Sequence, residues 1–271
     1  MTGTTRMVAA PDGTEFLLRS WSNESADIRL LLVHGYYEHS GRWEHVAGFF
    51  VERGYDVHMF DLRGHGATAG PRLDVTPFDQ HVDDLEWMIA TVDTGDLPLA
   101  VYAHSVGGLI GVRYATTDRP QPAAWVWSAP ALDSNTPGAL VAAGRVIARV
   151  APAARMSDKP KGDQLSSDPA VGEAYLADPL VSFKVTTRSA MSTLDAMDDT
   201  RSKLDRITLP GLTIHGTDDT VIPPAASAPL GGVAGVDRKL FPGLRHEMHN
   251  EPSYPDVLGY ADDWYRKQLS V

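Results

Sequence analysis

The stretch Leu97-Pro98-Leu99-Ala100-Val101-Tyr102-Ala103-His104-Ser105-Val106-Gly107-Gly108 decides the fold. Residues 97–104 are short and mostly apolar and read as a buried strand. Residues 106–116, rich in Gly and small side chains, read as a helix. Ser105 sits at the joint. A sharp strand-to-helix turn holds its central residue in a strained conformation and pushes the side chain into a cleft. Such a turn needs small residues two before and two after the serine. Gly107 meets that need, and Ala103 meets it with one extra methyl. The alternative is a serine that merely caps a helix N-terminus.

The same rhythm extends outward in both directions. Residues 15–21, 29–33 and 55–61 read as strands, and residues 43–53 as a helix stopped by Gly54. Phe78, Val82, Leu85, Met88, Ile89 and Val92 recur at spacings of three and four, an amphipathic helix whose stripe belongs to the core. Residues 123–127, 211–215 and 238–241 supply later strands and 255–269 a final helix. Short apolar strands separated by helices predict an α/β architecture, a mostly parallel sheet flanked by helices on both faces. Residues 133–195 break the alternation and contain the Ala/Val-rich helical stretch 138–150. They read as a helical lid inserted after a late-middle strand, over the strand ends where open α/β sheets bind ligands. The core is then 1–132 plus 196–271, one domain overall.

Bulk composition narrows the function classes. The chain has 271 residues, 43% of them apolar, enough for a sizeable core. Its net charge of −11 argues against a nucleic-acid partner, which needs clustered Lys and Arg. With no cysteine, a thiolate metal site, a disulfide framework and a cysteine nucleophile are excluded. No His/Asp/Glu cluster has metal spacing, so neither metal nor cofactor is expected. The start of the chain, from Met1, shows no basic-then-apolar leader, and no apolar run is long enough to span a membrane. A cytoplasmic protein, at most peripheral to a membrane, is the expectation.

A serine hydroxyl is a weak nucleophile and needs a base, itself held by a third group. At a strand–turn–helix serine of this kind the partners follow in the order acid, then histidine. Both are present where a strand has just ended. Residues 212–216 close a strand and are followed by Thr217, Asp218 and Asp219, either of whose carboxylates suits the role. Phe241-Pro242-Gly243-Leu244-Arg245-His246 follows the last strand, with His249 as a second candidate. Two backbone N–H groups should stabilise an oxyanion: Val106, after the serine, and Tyr36, in the loop after an early strand. His34, His65 and His104 are expected to be structural.

These residues resemble the monoacylglycerol lipases of bacteria, within the α/β-hydrolase fold. His34-Gly35-Tyr36-Tyr37-Glu38-His39-Ser40-Gly41-Arg42-Trp43 is similar to their HGxxEHSGRY segment, and Asp61-Leu62-Arg63-Gly64-His65-Gly66 to their DxRGHG loop. His215-Gly216-Thr217-Asp218-Asp219 is similar to HGTDD, whose second Asp is the triad acid. Phe241 to Glu247 resembles YPGLYHE, whose His is the base, and Asn250-Glu251-Pro252 continues the likeness. Asp168-Pro169, Tyr175 and Asp178-Pro179-Leu180 resemble the cap. The resemblance implies Asp219 and His246 as the partners of Ser105. The departures are Ala103 for Gly, Val106 where Met is common, and Ala67-Thr68 where Ser usually follows.

The expected function is therefore hydrolysis of a monoacylglycerol-like ester through an acyl-enzyme. A lysophospholipase or general carboxylesterase would use the same residues, as would an acyltransferase of this fold. A non-catalytic ligand-binding protein would be expected to lose triad members. The expected partner is a small lipid-like ester. Between 145 and 161 the lid carries Arg145, Arg149, Arg155, Lys159 and Lys161 against Asp158 alone. That stretch is either a solvated face or a surface for transient contact with an anionic lipid interface.

Overall fold

The computed structural model describes residues 3–95, 97–157 and 159–271; of the residues read above, Met1 and Asp158 lie outside that set. The chain runs through β1 (Thr4–Ala9), β2 (Glu15–Trp21), β3 (Ile28–Val33), α1 (Glu44–Val51), β4 (Tyr55–Phe60), α2 (Asp79–Val92), β5 (Leu99–His104), α3 (Val106–Ala115) and β6 (Ala124–Ser128). Then come α4 (Gly138–Val150), β7 (Arg155–Ser157), α5 (Pro169–Ala177), β8 (Lys184–Thr186) and α6 (Thr187–Arg201). The chain returns to the sheet with β9 (Gly211–Gly216) and β10 (Val236–Phe241) and ends in α7 (Tyr254–Leu269).

One eight-stranded sheet has the order β1-β2-β4-β3-β5-β6-β9-β10. The pairs β1/β2 and β2/β4 are antiparallel, and every pair from β4 to β10 is parallel. Strands β3 and β5 are buried along their whole length, because helices cover both faces. Leu31, Val33, Val101 and Ala103 point into one apolar layer with α2 and α3, while Leu30, Leu32, Ala100 and Tyr102 point into the other with α1 and α7.

Element ends follow local chemistry. Gly54, at φ +85°, closes α1 and turns the chain into β4. The expected helix 43–53 divides into a 3-10 turn, Ser40–Trp43, and α1 proper. Strand β5 starts at Leu99 rather than 97, since Pro98 has no N–H for the ladder. Between β6 and β9, α4 crosses α6 closely. A Cβ on Gly144 would sit 2.8 Å from the Met191 methyl, and Gly144 is the buried residue of α4. Helix α6 runs through position 195, and β7 and β8 form a small antiparallel sheet beneath it.

Candidate active site

Ser105 stands between β5 and α3 with φ 55° and ψ −118°, a left-handed conformation that costs a side-chain-bearing residue on the order of 1–3 kcal/mol. The surroundings hold it there. Its N–H donates to Ser128 O at 2.9 Å, and its carbonyl accepts from Leu109 N–H at 3.0 Å and Ala131 N–H at 2.9 Å. Gly107 explains why α3 can start so close to β3, for a Cβ there would lie 2.4 Å from His34 O. Ala103 faces the α2/α3 layer, where its extra methyl is packed.

The loop after β9 and the loop after β10 bring the partners in. His246 Nε2 lies 3.0 Å from Ser105 Oγ, and His246 Nδ1 lies 2.7 Å from Asp219 Oδ2. Asp219 is held rigidly: Oδ1 accepts from Val221 N–H and Ile222 N–H, and Oδ2 also faces His215 Nε2 at 3.1 Å. Burial alone would raise this carboxyl, but the neighbouring His246 and the hydrogen bonds from both histidines hold it well below the usual range. Burial disfavours the imidazolium of His246, yet the Asp219 charge and hydrogen bond outweigh it and raise the pKa. With Nδ1–H aimed at a carboxylate, Nε2 presents its lone pair to the hydroxyl.

The two ambiguous pairs separate cleanly in space. Asp218 is exposed and accepts from Thr217 Oγ1, away from the imidazole. His249 is buried and stacked on Trp43 at 3.9 Å, with neither ring nitrogen hydrogen-bonded. His34, His65 and His104 are buried too, and burial holds all three neutral. His34 braces the loop after β3, accepting from Leu62 N–H through Nε2.

That loop lies against the serine: a Cβ on Gly35 would be 3.1 Å from Ser105 Cβ. Val106 opens α3 and Tyr36 follows Gly35. Among the described residues, neither backbone N–H has a protein acceptor. The Tyr36 ring is anchored through its hydroxyl to Ser189 of α6 at 3.1 Å.

A buried ionic bridge joins this loop to the histidine loop, and the sequence reading assigned it no role. Glu38 accepts from Gly35 N–H, from Trp43 Nε1 and from Arg42 Nη1, all within 2.9 Å. Arg42 also binds Glu247 with both terminal nitrogens, at 2.8 and 2.7 Å, and lies over the Tyr175 ring of α5. Burial would raise the Glu247 carboxyl, but Arg42 holds it down at about 2. The signal was present in the Glu-His-Ser-Gly-Arg and His-Glu segments, but nothing in their spacing tells that the two meet.

The segment between β6 and β9 is hydrogen-bonded to the loops that carry the site. Ser105 is 8% exposed and His246 4%. Leu165 O accepts from Glu247 N–H, Ser167 donates to Glu251, Asp178 bonds His39 Nε2, and Ser182 N–H donates to Tyr37 O. Helix α4 stands out from this layer. Leu140, Val146, Ile147 and Val150 are exposed. Arg145 is engaged by Asp195 at 2.6 Å, which takes one of the basic charges read above. No described helix is long and apolar enough to cross a membrane, and the described residues hold no cluster of metal-ligating side chains.

The chain is similar to known proteins along most of its length. The family described as serine aminopeptidase, S33, matches residues 24–253. A monoacylglycerol lipase of Mycolicibacterium smegmatis is 35% identical over 248 residues, 89% of this chain and 88% of that one. A phospholipase of Bacillus subtilis is 26% identical over 249 residues, covering 89% and 96%. The crystal structure of a Paleococcus ferrophilus monoacylglycerol lipase superposes with a TM-score of 0.85 at 28% identity, covering 94% of this chain and 99% of that one. The chain belongs to the serine aminopeptidase S33 family and is a serine hydrolase of the α/β-hydrolase fold.

Proposed function

We propose that this hydrolase cleaves monoacylglycerols to a fatty acid and glycerol, with Ser105 as nucleophile, His246 as general base and Asp219 as its orienting acid. The observation that carries the reading is the unbroken chain Ser105 Oγ–His246 Nε2 and His246 Nδ1–Asp219 Oδ2 at a strained strand-to-helix turn. Ser105 Oγ attacks the ester carbonyl as His246 takes its proton, and the free N–H groups of Tyr36 and Val106 face the oxyanion. His246 returns the proton to the departing glycerol oxygen. Water, activated by the same imidazole, then releases the fatty acid.

Both the 35% identical relative and the 28% identical solved structure are monoacylglycerol lipases, whereas the phospholipase relative stands at 26%. Monoacylglycerol is therefore preferred to lysophospholipid. The 133–195 segment is the lid of this reading. The exposed apolar side of α4, with Arg149 beside it, would rest on an anionic lipid surface during substrate capture. A panel of monoacylglycerols, lysophospholipids and short-chain esters compared by kcat/KM tests the substrate; a higher value for lysophospholipids would overturn it. Co-sedimentation with anionic and neutral vesicles tests the surface, and binding indifferent to lipid charge would count against it.

A further inference from the structure

A second serine, histidine and aspartate are hydrogen-bonded in series far from Ser105. Ser20 on β2 is the register partner of His58 on β4, and Asp56 lies two residues earlier on the same face. Ser20 Oγ is 2.8 Å from His58 Nδ1, and His58 Nε2 is 3.1 Å from Asp56 Oδ2. Asp56 lies near the amino end of β4 and His58 at its middle, two strands across the sheet from β5, whose carboxyl end leads into Ser105. All three residues are partly open to solvent.

The proton positions follow from the partners. Asp56 Oδ2 also accepts from Arg29 Nε at 3.2 Å, so this oxygen serves as an acceptor. His58 must then donate through Nε2, which leaves the Nδ1 lone pair facing Ser20. The serine hydroxyl is therefore the donor, the arrangement that makes a hydroxyl nucleophilic. Burial disfavours the charged ring, with Arg29 and Arg6 acting in the same direction and Asp56 against them, so the resting imidazole is neutral. Arg6 sits on β1 opposite Leu18, one pleat from Ser20 on the same face. It is exposed and has no ion-pair partner among the described residues.

We propose that Ser20 is a second reactive serine, accepting acyl groups from small activated esters with His58 as base, Asp56 as orienting acid and the Arg6 guanidinium facing the oxyanion. Ser20 Oγ forms a bond to the ester carbonyl carbon as its proton passes to His58 Nδ1. The tetrahedral adduct collapses with loss of the alkoxide or phenolate, and the imidazolium gives its proton to water. No pair of backbone N–H groups flanks Ser20 on a ladder strand, so acylation is expected on the order of 10³-fold slower than at Ser105, the cost of lost oxyanion donors. The acyl group should persist, because its hydrolysis needs the same stabilisation.

The test uses a Ser105→Ala chain treated with p-nitrophenyl acetate, followed by intact mass and peptide mapping. One acetyl group is expected on Ser20, ahead of every other hydroxyl and amine. Adding His58→Gln should slow that labelling by about a hundredfold or more, the lower range of a positioned general base. Ser20→Ala and His58→Gln in the otherwise natural chain should leave ester hydrolysis at Ser105 unchanged, which shows that both variants fold. Absence of Ser20 from the labelled residues, or labelling indifferent to His58→Gln, would overturn the proposal. Because Ser105 is absent from the labelled chain, its own assignment is untouched by either result.

Discussion

Asp219 and Asp218 differ by one position and by everything that matters to catalysis. The first is buried under two histidines and two backbone N–H groups; the second accepts from its neighbour Thr217 in solvent. Asp219→Asn should lower kcat by about 10⁴, the loss seen when a triad imidazole is left in the wrong tautomer. Asp218→Asn should change it less than twofold, a bound set by its exposed position. Equal losses in steady-state kinetics would refute the assignment. The raised pKa of His246 carries a further expectation. Activity needs the neutral imidazole, so the acid limb of kcat/KM should lie above the ordinary histidine value of about 6.5. In Asp219→Asn the residual activity should show that limb moved to lower pH; an unmoved limb would mean Asp219 does not set the His246 charge.

At the scale of the element, the decisive fit is the start of α3 against the end of β3. Gly107→Ala would drive a methyl to within 2.4 Å of His34 O and 2.7 Å of Val33 O, both backbone atoms that cannot swing aside. We expect α3 to shift away from the Tyr36 loop. The stability cost is at least about 1–3 kcal/mol, the usual range for overpacking, with a larger proportional loss of kcat than of stability. A thermal melt and a rate that both match wild type would contradict the packing account. This scale also marks where sequence reading stopped. The buried strands and the turn at Ser105 were legible because helices on both sides leave β3 and β5 nothing but buried positions, which are filled mostly by apolar side chains. Strand β1 was not, since it is an edge strand exposed along most of its length, with no apolar alternation. Helix α6 buries Thr187, Ser189, Thr193 and Thr200 alongside Met191, Ala196 and Met197, so its inward face carries no apolar period. The bridge Glu38–Arg42–Glu247 joins residues about two hundred positions apart, and no local pattern announces such a meeting.

Across the whole molecule, burial sets how stability depends on pH. His34, His58, His65, His81, His104 and His249 all have pKa values lowered chiefly by burial, His81 to about 3. In the unfolded chain each would titrate near its ordinary value of about 6.5. Below that pH the unfolded state binds more protons than the folded one, so the stability they contribute is present above pH 6.5 and lost as pH falls. His246, whose pKa is raised, works in the opposite sense and offsets one of them. Asp219 and Glu247 add their own losses only at lower pH, as the pH falls from the ordinary carboxylate range towards their depressed pKa values. Urea unfolding should therefore lose more than about 1.4 kcal/mol per pH unit between pH 6.5 and 5.5, the slope of one proton taken up. A flat profile across that interval would mean the buried histidines are already solvated or charged in the folded state.

The central claim is that Ser105 is the residue acylated during turnover. It is tested most directly by brief treatment of the natural chain with a fluorophosphonate, with activity and peptide mass followed on the same samples. Loss of monoacylglycerol hydrolysis should track, one for one, a phosphonyl adduct on the peptide carrying Ser105. Complete inactivation with Ser105 unmodified, or full modification of Ser105 with activity retained, would contradict it.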